Sequence, residues 1–103
     1  MGVYTLSSYA RRDLVAAALY VHKKTGNPEA GDRIIAQLAA VMEKLAEFPT
    51  MGRARAELRP RLRSFASNPF SIFYRRTRTG VHVLRILHQR ENVRKAFPKR
   101  PAE

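Results

Sequence analysis

The stretch Phe70-Ser71-Ile72-Phe73-Tyr74-Arg75-Arg76, Thr77-Arg78-Thr79-Gly80, Val81-His82-Val83-Leu84-Arg85-Ile86-Leu87 decides the fold. Two runs rich in β-branched and aromatic residues flank four turn-forming residues, the pattern of a β-hairpin. The second run is apolar on both sides of its alternation except at His82 and Arg85, as expected of a central strand rather than an edge. Arg85 is therefore conspicuous, since a cation inside such a strand costs desolvation unless it is paired.

Upstream, Leu62–Ala66 reads as a third strand, with Ser67-Asn68-Pro69 as the turn before Phe70, so the three runs form an antiparallel meander. Residues 50–61 are rich in Arg, contain Gly52 and Pro60, and show no period; they read as a connecting segment. Before them, Asn27-Pro28-Glu29 supplies a cap, a proline suited to the first helical turn and a carboxylate that favours a helix N-terminus. The apolar residues Ile34, Leu38, Val41, Leu45 and Phe48 then follow at spacings of 4, 3, 4 and 3, a seam that predicts a helix ending at Pro49.

A preceding helix is predicted from Ala10, Leu14, Ala17, Ala18 and Val21, capped near Ser7-Ser8 and stopping near Gly26, with Arg11, Arg12 and Asp13 largely on its other side. Val3-Tyr4-Thr5-Leu6 reads as a short first strand. The fold class is α+β: an N-terminal strand and an antiparallel helical hairpin packed on a small antiparallel sheet, in the order β-α-α-β-β-β. The hairpin covers one sheet face and the other is left for binding. The 103 residues suit one domain, with a basic tail expected to fray from about residue 94.

Charge is unevenly placed within a formal total of +12: residues 1–51 carry six Lys/Arg against five Asp/Glu, whereas residues 52–103 carry fourteen against three. Such a field favours an anionic partner such as nucleic acid, a ribosome or an acidic protein segment. Some of the arginines, Arg76 and Arg78 above all, need do no more than keep a sheet edge solvated.

With no cysteine, a disulfide framework and a thiolate metal site are excluded, and a cytoplasmic location is expected. No leader pattern or membrane-length apolar stretch is visible, and Leu6 stands where a myristoylation motif needs Ser or Thr. His22, His82 and His88 lack the spacing of a zinc site, and no phosphate-binding glycine loop or serine elbow occurs, so neither metal nor cofactor is expected. In the basic half only Glu57, Glu91 and Glu103 are acidic, and Glu57 is expected to pair with a nearby arginine.

Five segments in order carry a resemblance: Leu6-Ser7 with Ala10-Arg11-Arg12-Asp13-Leu14, Pro49-Thr50-Met51-Gly52-Arg53, Glu57-Leu58 with Leu62-Arg63-Ser64-Phe65, Ile72-Phe73-Tyr74-Arg75, and Val83-Leu84-Arg85-Ile86-Leu87-His88. Over about residues 4–93 the chain resembles ParE-type toxins of the ParE/RelE toxin–antitoxin superfamily. It departs in having Pro60-Arg61 where a proline–glycine pair is common, and Gln89 where a small residue commonly follows the histidine.

The resemblance implies a toxin that poisons DNA gyrase by binding, without catalysis, and is neutralised by a cognate antitoxin. That antitoxin would carry an acidic segment and a ribbon-helix-helix DNA-binding domain, and form a hetero-oligomer with the toxin. Target contacts are expected at Arg53, Arg55, Arg63, Arg75, Arg85, His88 and Arg90, and antitoxin contacts at Arg11, Leu58, Phe65, Arg63 and Arg85. The RelE class, which cuts messenger RNA in the ribosome, has two strand lysines where this chain has Leu62 and Ser64, and an arginine where it has Ser71. Its next arginine is kept as Arg90, and its C-terminal tyrosine falls near Ala96 or Phe97. A reduced acid–base pair of His88 and Arg90 is the alternative reading, and a weakly toxic module acting in operon autoregulation a third.

Overall fold

A computed structural model describes residues 2–98. The elements run β1 (Val3–Leu6), α1 (Ser8–Thr25), α2 (Pro28–Glu47), β2 (Arg53–Ala54), β3 (Leu62–Ser67), β4 (Phe70–Arg76), β5 (Gly80–His88) and α3 (Val93–Ala96). Five strands form one sheet in the order β1-β5-β4-β3-β2. The architecture is the expected α+β one, with β3, β4 and β5 as an antiparallel meander and the helical hairpin beside it. The sheet as a whole is mixed, because β1 lies parallel to β5, Val3 opposite Gly80 and Leu6 opposite Val83. Parallel neighbours need a crossover, which everything from α1 to β4 supplies.

Local chemistry sets the helix ends. Ser7 Oγ accepts the Ala10 N–H at 2.9 Å, and α1 stops where Gly26 takes φ +70° and its N–H reaches the His22 carbonyl. Asn27 Oδ1 accepts the Glu29 N–H at 2.9 Å, with Pro28 in the first turn of α2. Ala10 and Ala17 of α1 and Ile34, Leu38, Met42 and Leu45 of α2 are buried against Phe70, Ile72, Tyr74, Val81, Val83 and Ile86 of the sheet.

The seam of α2 differs from the expectation at one end. Met42 is buried in place of Val41, which is only half-buried, and Phe48 caps the helix with 52% of its surface exposed. Phe48 lies beyond the last regular turn, so the helical period no longer sets its direction.

Arg85 is explained by a register shift. Phe73 stands opposite Arg85 but Tyr74 opposite Val83, so Leu84 is an extra residue in β5. Strict alternation from Val81 and Val83 would aim residue 85 into the core; with the bulge, Ile86 fills that place instead. Arg85 is diverted to the strand edge, where its Nε and Nη2 donate to Asp13 at 2.7 and 3.0 Å. Asp13 of α1 thus turns toward the sheet rather than to the outer side of its helix. Its Oδ2 also accepts the Ile86 N–H at 2.9 Å.

The connecting segment is more ordered than expected. Arg53 and Ala54 pair with Ser64 and Arg63 as the edge strand β2. Its entry hangs on Tyr74, whose buried hydroxyl donates to the Pro49 carbonyl at 2.7 Å and accepts the Gly52 N–H at 2.9 Å. A Cβ on Gly52 would lie 2.5 Å from that hydroxyl and 2.8 Å from the Ser64 carbonyl, so only glycine fits. The tail from residue 94 is likewise not frayed where it is described: Val93–Ala96 is helical and Phe97 is 3% exposed. Residues 99–103 lie outside the described part.

Three stability measurements check this packing. Leu38→Ala or Leu45→Ala should cost about 2–5 kcal/mol in denaturant unfolding, whereas Phe48→Ala should stay within about 0.5 kcal/mol. Asp13→Ala should cost about 2 kcal/mol, more than Arg85→Ala, because it strands both a guanidinium and a strand N–H. Tyr74→Phe should cost about 1–3 kcal/mol at neutral pH. Burial pushes the Tyr74 phenol above its ordinary value of 10.0. The folded state therefore holds that proton more tightly than the unfolded one, and the advantage over Tyr74→Phe should shrink as pH rises above about 10.

Candidate functional site: the cationic open face of the sheet

The face of the sheet turned away from α1 and α2 carries Leu62, Phe73 and Leu87, which with Phe97 form a second, smaller core. Residues 55–61 fold across one side of it. The Arg55 N–H bonds to the Leu62 carbonyl at 2.8 Å, and Leu58 N–H to the Arg55 carbonyl at 3.0 Å. Val93, Ala96 and Phe97 close the other side, with the Phe97 and Phe73 ring centroids 5.3 Å apart. The face left for binding is thus partly roofed by these two segments. Arg61 turns the chain back into β3 with φ +65°, a left-handed conformation that suits glycine and costs an arginine about 1–2 kcal/mol.

Between the two flaps runs a groove of about 550 Å³, lined by Leu58, Arg59, Pro60, Leu62, Arg75 and Leu84. It adjoins a second of about 490 Å³, lined by Tyr9, Arg59, Leu84, Arg85, Lys95 and Phe97. The floors are apolar and every ionisable group on the walls apart from Tyr9 is cationic, with no carboxylate among them. Arg59 stacks its guanidinium 5.2 Å from the Phe97 ring, and its Nε is buried without a hydrogen-bond partner among the described residues. A desolvated donor of this kind is costly unless an acceptor arrives.

Five of the six arginines expected to meet a target fall into two groups. Arg53 and Arg75 are exposed, and neither makes an ion pair among the described residues; Arg75 stands on the groove wall. Arg55, Arg63 and Arg85 are engaged within the fold. Arg55 Nε pairs with Glu57 at 2.9 Å, its Nη1 donates to Ser64 Oγ at 3.1 Å, and its guanidinium lies over Phe73. The Arg55 guanidinium holds the Glu57 carboxyl below its ordinary value. Arg63 Nη1 donates to the Gly52 carbonyl at 2.6 Å on the helix side.

His88 and Arg90 are at the far end of β5, away from this groove. The His88 ring packs 4.8 Å from Tyr20 and 5.4 Å from Phe70. Of the residues expected to meet an antitoxin, Leu58 belongs to the open face, Phe65 packs against the helix-side core, and Arg11 is exposed on α1. They do not form one patch. Leu62 and Ser64, where ribonuclease relatives carry lysines, are both buried.

Sequence reasoning counts Arg59 among the arginines near strands without placing it in the site, and it misses Lys95 and Phe97. Arg59 and Lys95 stand in stretches without periodicity, where nothing marks which arginine or lysine reaches the groove. Among the described residues there is no cluster of three or more metal-ligating side chains, and no helix is long and apolar enough to cross a membrane.

Comparison with known proteins agrees with this architecture. Residues 4–93 match the family model described as ParE toxin of type II toxin–antitoxin system, parDE. Toxin ParE1 of Caulobacter vibrioides is 36% identical over 94 residues, covering 91% of this chain and 96% of that protein. Toxin ParE1 of Mycobacterium tuberculosis is 32% identical over 91 residues, covering 87% and 92%. Toxin ParE3 of Caulobacter vibrioides is 40% identical over 57 residues, a stretch spanning 55% of this chain and 57% of that relative. A chain from a structure described as the chromosomal ParDE TA system from P. aeruginosa superposes with a TM-score of 0.71 at 22% identity, covering 85% of this chain and 96% of its own length, which establishes the shared fold. The chain belongs to the ParE toxin family of type II toxin–antitoxin systems.

Proposed function

We propose that this chain is a toxin that inhibits DNA gyrase by binding it, with the open face as its contact surface, and that a cognate antitoxin with an acidic segment neutralises it there. The observation that carries this reading is the pair of apolar grooves walled by Arg59, Arg75, Arg85 and Lys95 with no carboxylate among their linings. An extended or helical segment can seat alternate apolar side chains on Leu58, Leu62 and Leu84 while its carboxylates meet the cations, and its ordering on the toxin is coupled to that contact. The unsatisfied Arg59 Nε is the donor such a carboxylate would engage. Arg53 and Arg75, free of ion pairs among the described residues, supply the charge that meets the target. Antitoxin and gyrase would then compete for one face, which is how neutralisation would work.

The experiment adds purified protein to a gyrase supercoiling reaction and, separately, to ribosomes translating a defined message. Inhibition of supercoiling with the message intact is expected. Arg53→Ala with Arg75→Ala should weaken that inhibition by about tenfold or more, while Arg33→Ala on α2 leaves it unchanged. Affinity for an acidic antitoxin segment should fall as salt is added. Message cleavage that vanishes in His88→Ala, with supercoiling untouched, would replace this reading by the ribonuclease one.

A further inference from the structure

A second cationic site lies at the opposite corner of the molecule, where the last turn of α1 meets the end of β5. It is a pocket of about 270 Å³ lined by Tyr20, Lys24, Pro69, His88, Gln89 and Arg90. Lys24 Nζ donates to the Tyr20 hydroxyl at 3.3 Å and stands 5.6 Å from the centre of that ring. Neither Lys24 nor Arg90 makes an ion pair among the described residues. The neighbouring Glu91 carboxylate keeps its charge and is turned to the His88 N–H, which its Oε1 accepts at 3.0 Å.

His88 is held in place by its surroundings. Its ring is fixed between Tyr20 and Phe70, and its Nδ1 accepts the Arg90 N–H at 3.1 Å. An accepting Nδ1 leaves the neutral ring's proton on Nε2, so His88 offers a donor there. Among the described residues the Tyr20 hydroxyl is the hydrogen-bond partner of Lys24 Nζ. Two unpaired cations, an imidazole donor and a tyrosine hydroxyl thus border one small pocket with Val21 and Pro69 as its apolar wall.

We propose that this pocket binds a nucleotide phosphate. Lys24 and Arg90 neutralise the phosphate oxygens, His88 and the Tyr20 hydroxyl donate to them, and the adjoining sugar or base lies against Tyr20 and Pro69. The volume, just under the usual range of small-ligand sites, about 300–1,000 Å³, suits one phosphate with its neighbouring ring. A nucleotide phosphate fits the pocket better than a bare carboxylate, because its attached ring has the Tyr20 and Pro69 surfaces to lie against. The site is independent of the open face, so it stands or falls apart from gyrase inhibition.

The test titrates the full chain at constant ionic strength with inorganic phosphate, a nucleoside monophosphate, a short single-stranded oligonucleotide and an Asp/Glu-rich peptide of matched charge. Amide and imidazole NMR shifts report the site. Perturbations should centre on Tyr20, Lys24, His88 and Arg90, and Lys24→Gln or Arg90→Gln should weaken binding about tenfold. The charge-matched Arg33→Gln and Arg78→Gln, both remote, should weaken it less than twofold. Binding of the monophosphate as well as the oligonucleotide identifies a free nucleotide as a source, and binding of the oligonucleotide alone identifies a strand backbone. Equal losses in all four variants would show only the general attraction of a basic protein and overturn the proposal. So would a peptide that binds at these residues more tightly than either phosphate ligand.

Discussion

The Asp13 carboxylate is the contact on which the arrangement of helices and sheet depends. β1 stops at Leu6, leaving the second half of β5 with an open edge beside α1. That edge is completed by side chains instead of a strand. Ser7 Oγ donates to the Leu84 carbonyl at 2.7 Å, Asp13 Oδ2 accepts the Ile86 N–H, and Glu91 Oε1 accepts the His88 N–H. Asp13 also takes both nitrogens that Arg85 presents. A forked ion pair with a backbone N–H added satisfies most of the carboxylate's acceptor capacity, which is the condition for a half-buried charge to be tolerated. From this anchor α1 extends as a rod, and seven residues on, about 10 Å along the axis, it delivers Tyr20 beside His88.

The two faces of the sheet are built to different ends. The helix side is filled by Tyr74, Leu38, Met42, Leu45 and Ile72, all at most 1% exposed, and it is closed at the 49–52 turn by the Tyr74 hydroxyl. The other side has three buried sheet residues, Leu62, Phe73 and Leu87, under two short flaps of which Phe97 is part, and cations crowd its margins. Arginines there serve as packing material as much as charge: Arg55 covers Phe73 and Arg59 covers Phe97 with their guanidinium planes. This is why the composition of residues 52–103 overstates the charge available to a partner.

Much of this was legible in the sequence, for identifiable reasons. The Asn27-Pro28 start of α2 and the turns on either side of β4 are local signals: α2 starts where expected, and the turns fall within a residue of the expected bounds, with Ser67 and Gly80 drawn into the strands, while the period of α2 holds except at Val41 and Phe48. The scarcity of carboxylates points to Glu57 pairing with a nearby arginine, and Arg55 is that partner. The bulge at Leu84 was not, because a run apolar on both faces gives no alternation to break. Only the cost of burying Arg85 hinted at it, and the partner, 72 residues away, could not be named. β2 has two residues and no period, and Phe97 is a lone aromatic in a basic, proline-bearing tail, so both escaped a pattern-based reading. Of the site, the identity of the cations was readable but their division between exposed and engaged was not, since that depends on which neighbours the fold brings to them.

The parallel pairing of β1 with β5 bears on how the chain comes to be active as it is synthesised. Val3–Leu6 emerges first, yet its partners are residues 80–83, and the Asp13 carboxylate has nothing to hold until residues 85 and 86 have been made. Contacts of such long sequence separation form late and after a costly loop closure. The nascent chain can build its helical hairpin early, but the sheet edge, the grooves and the cationic faces arise only when translation has passed β5. The ribosome thereby keeps the fold unformed through most of its own synthesis, and a partner already present in the cell would meet each new molecule at the moment its grooves and cationic faces first exist.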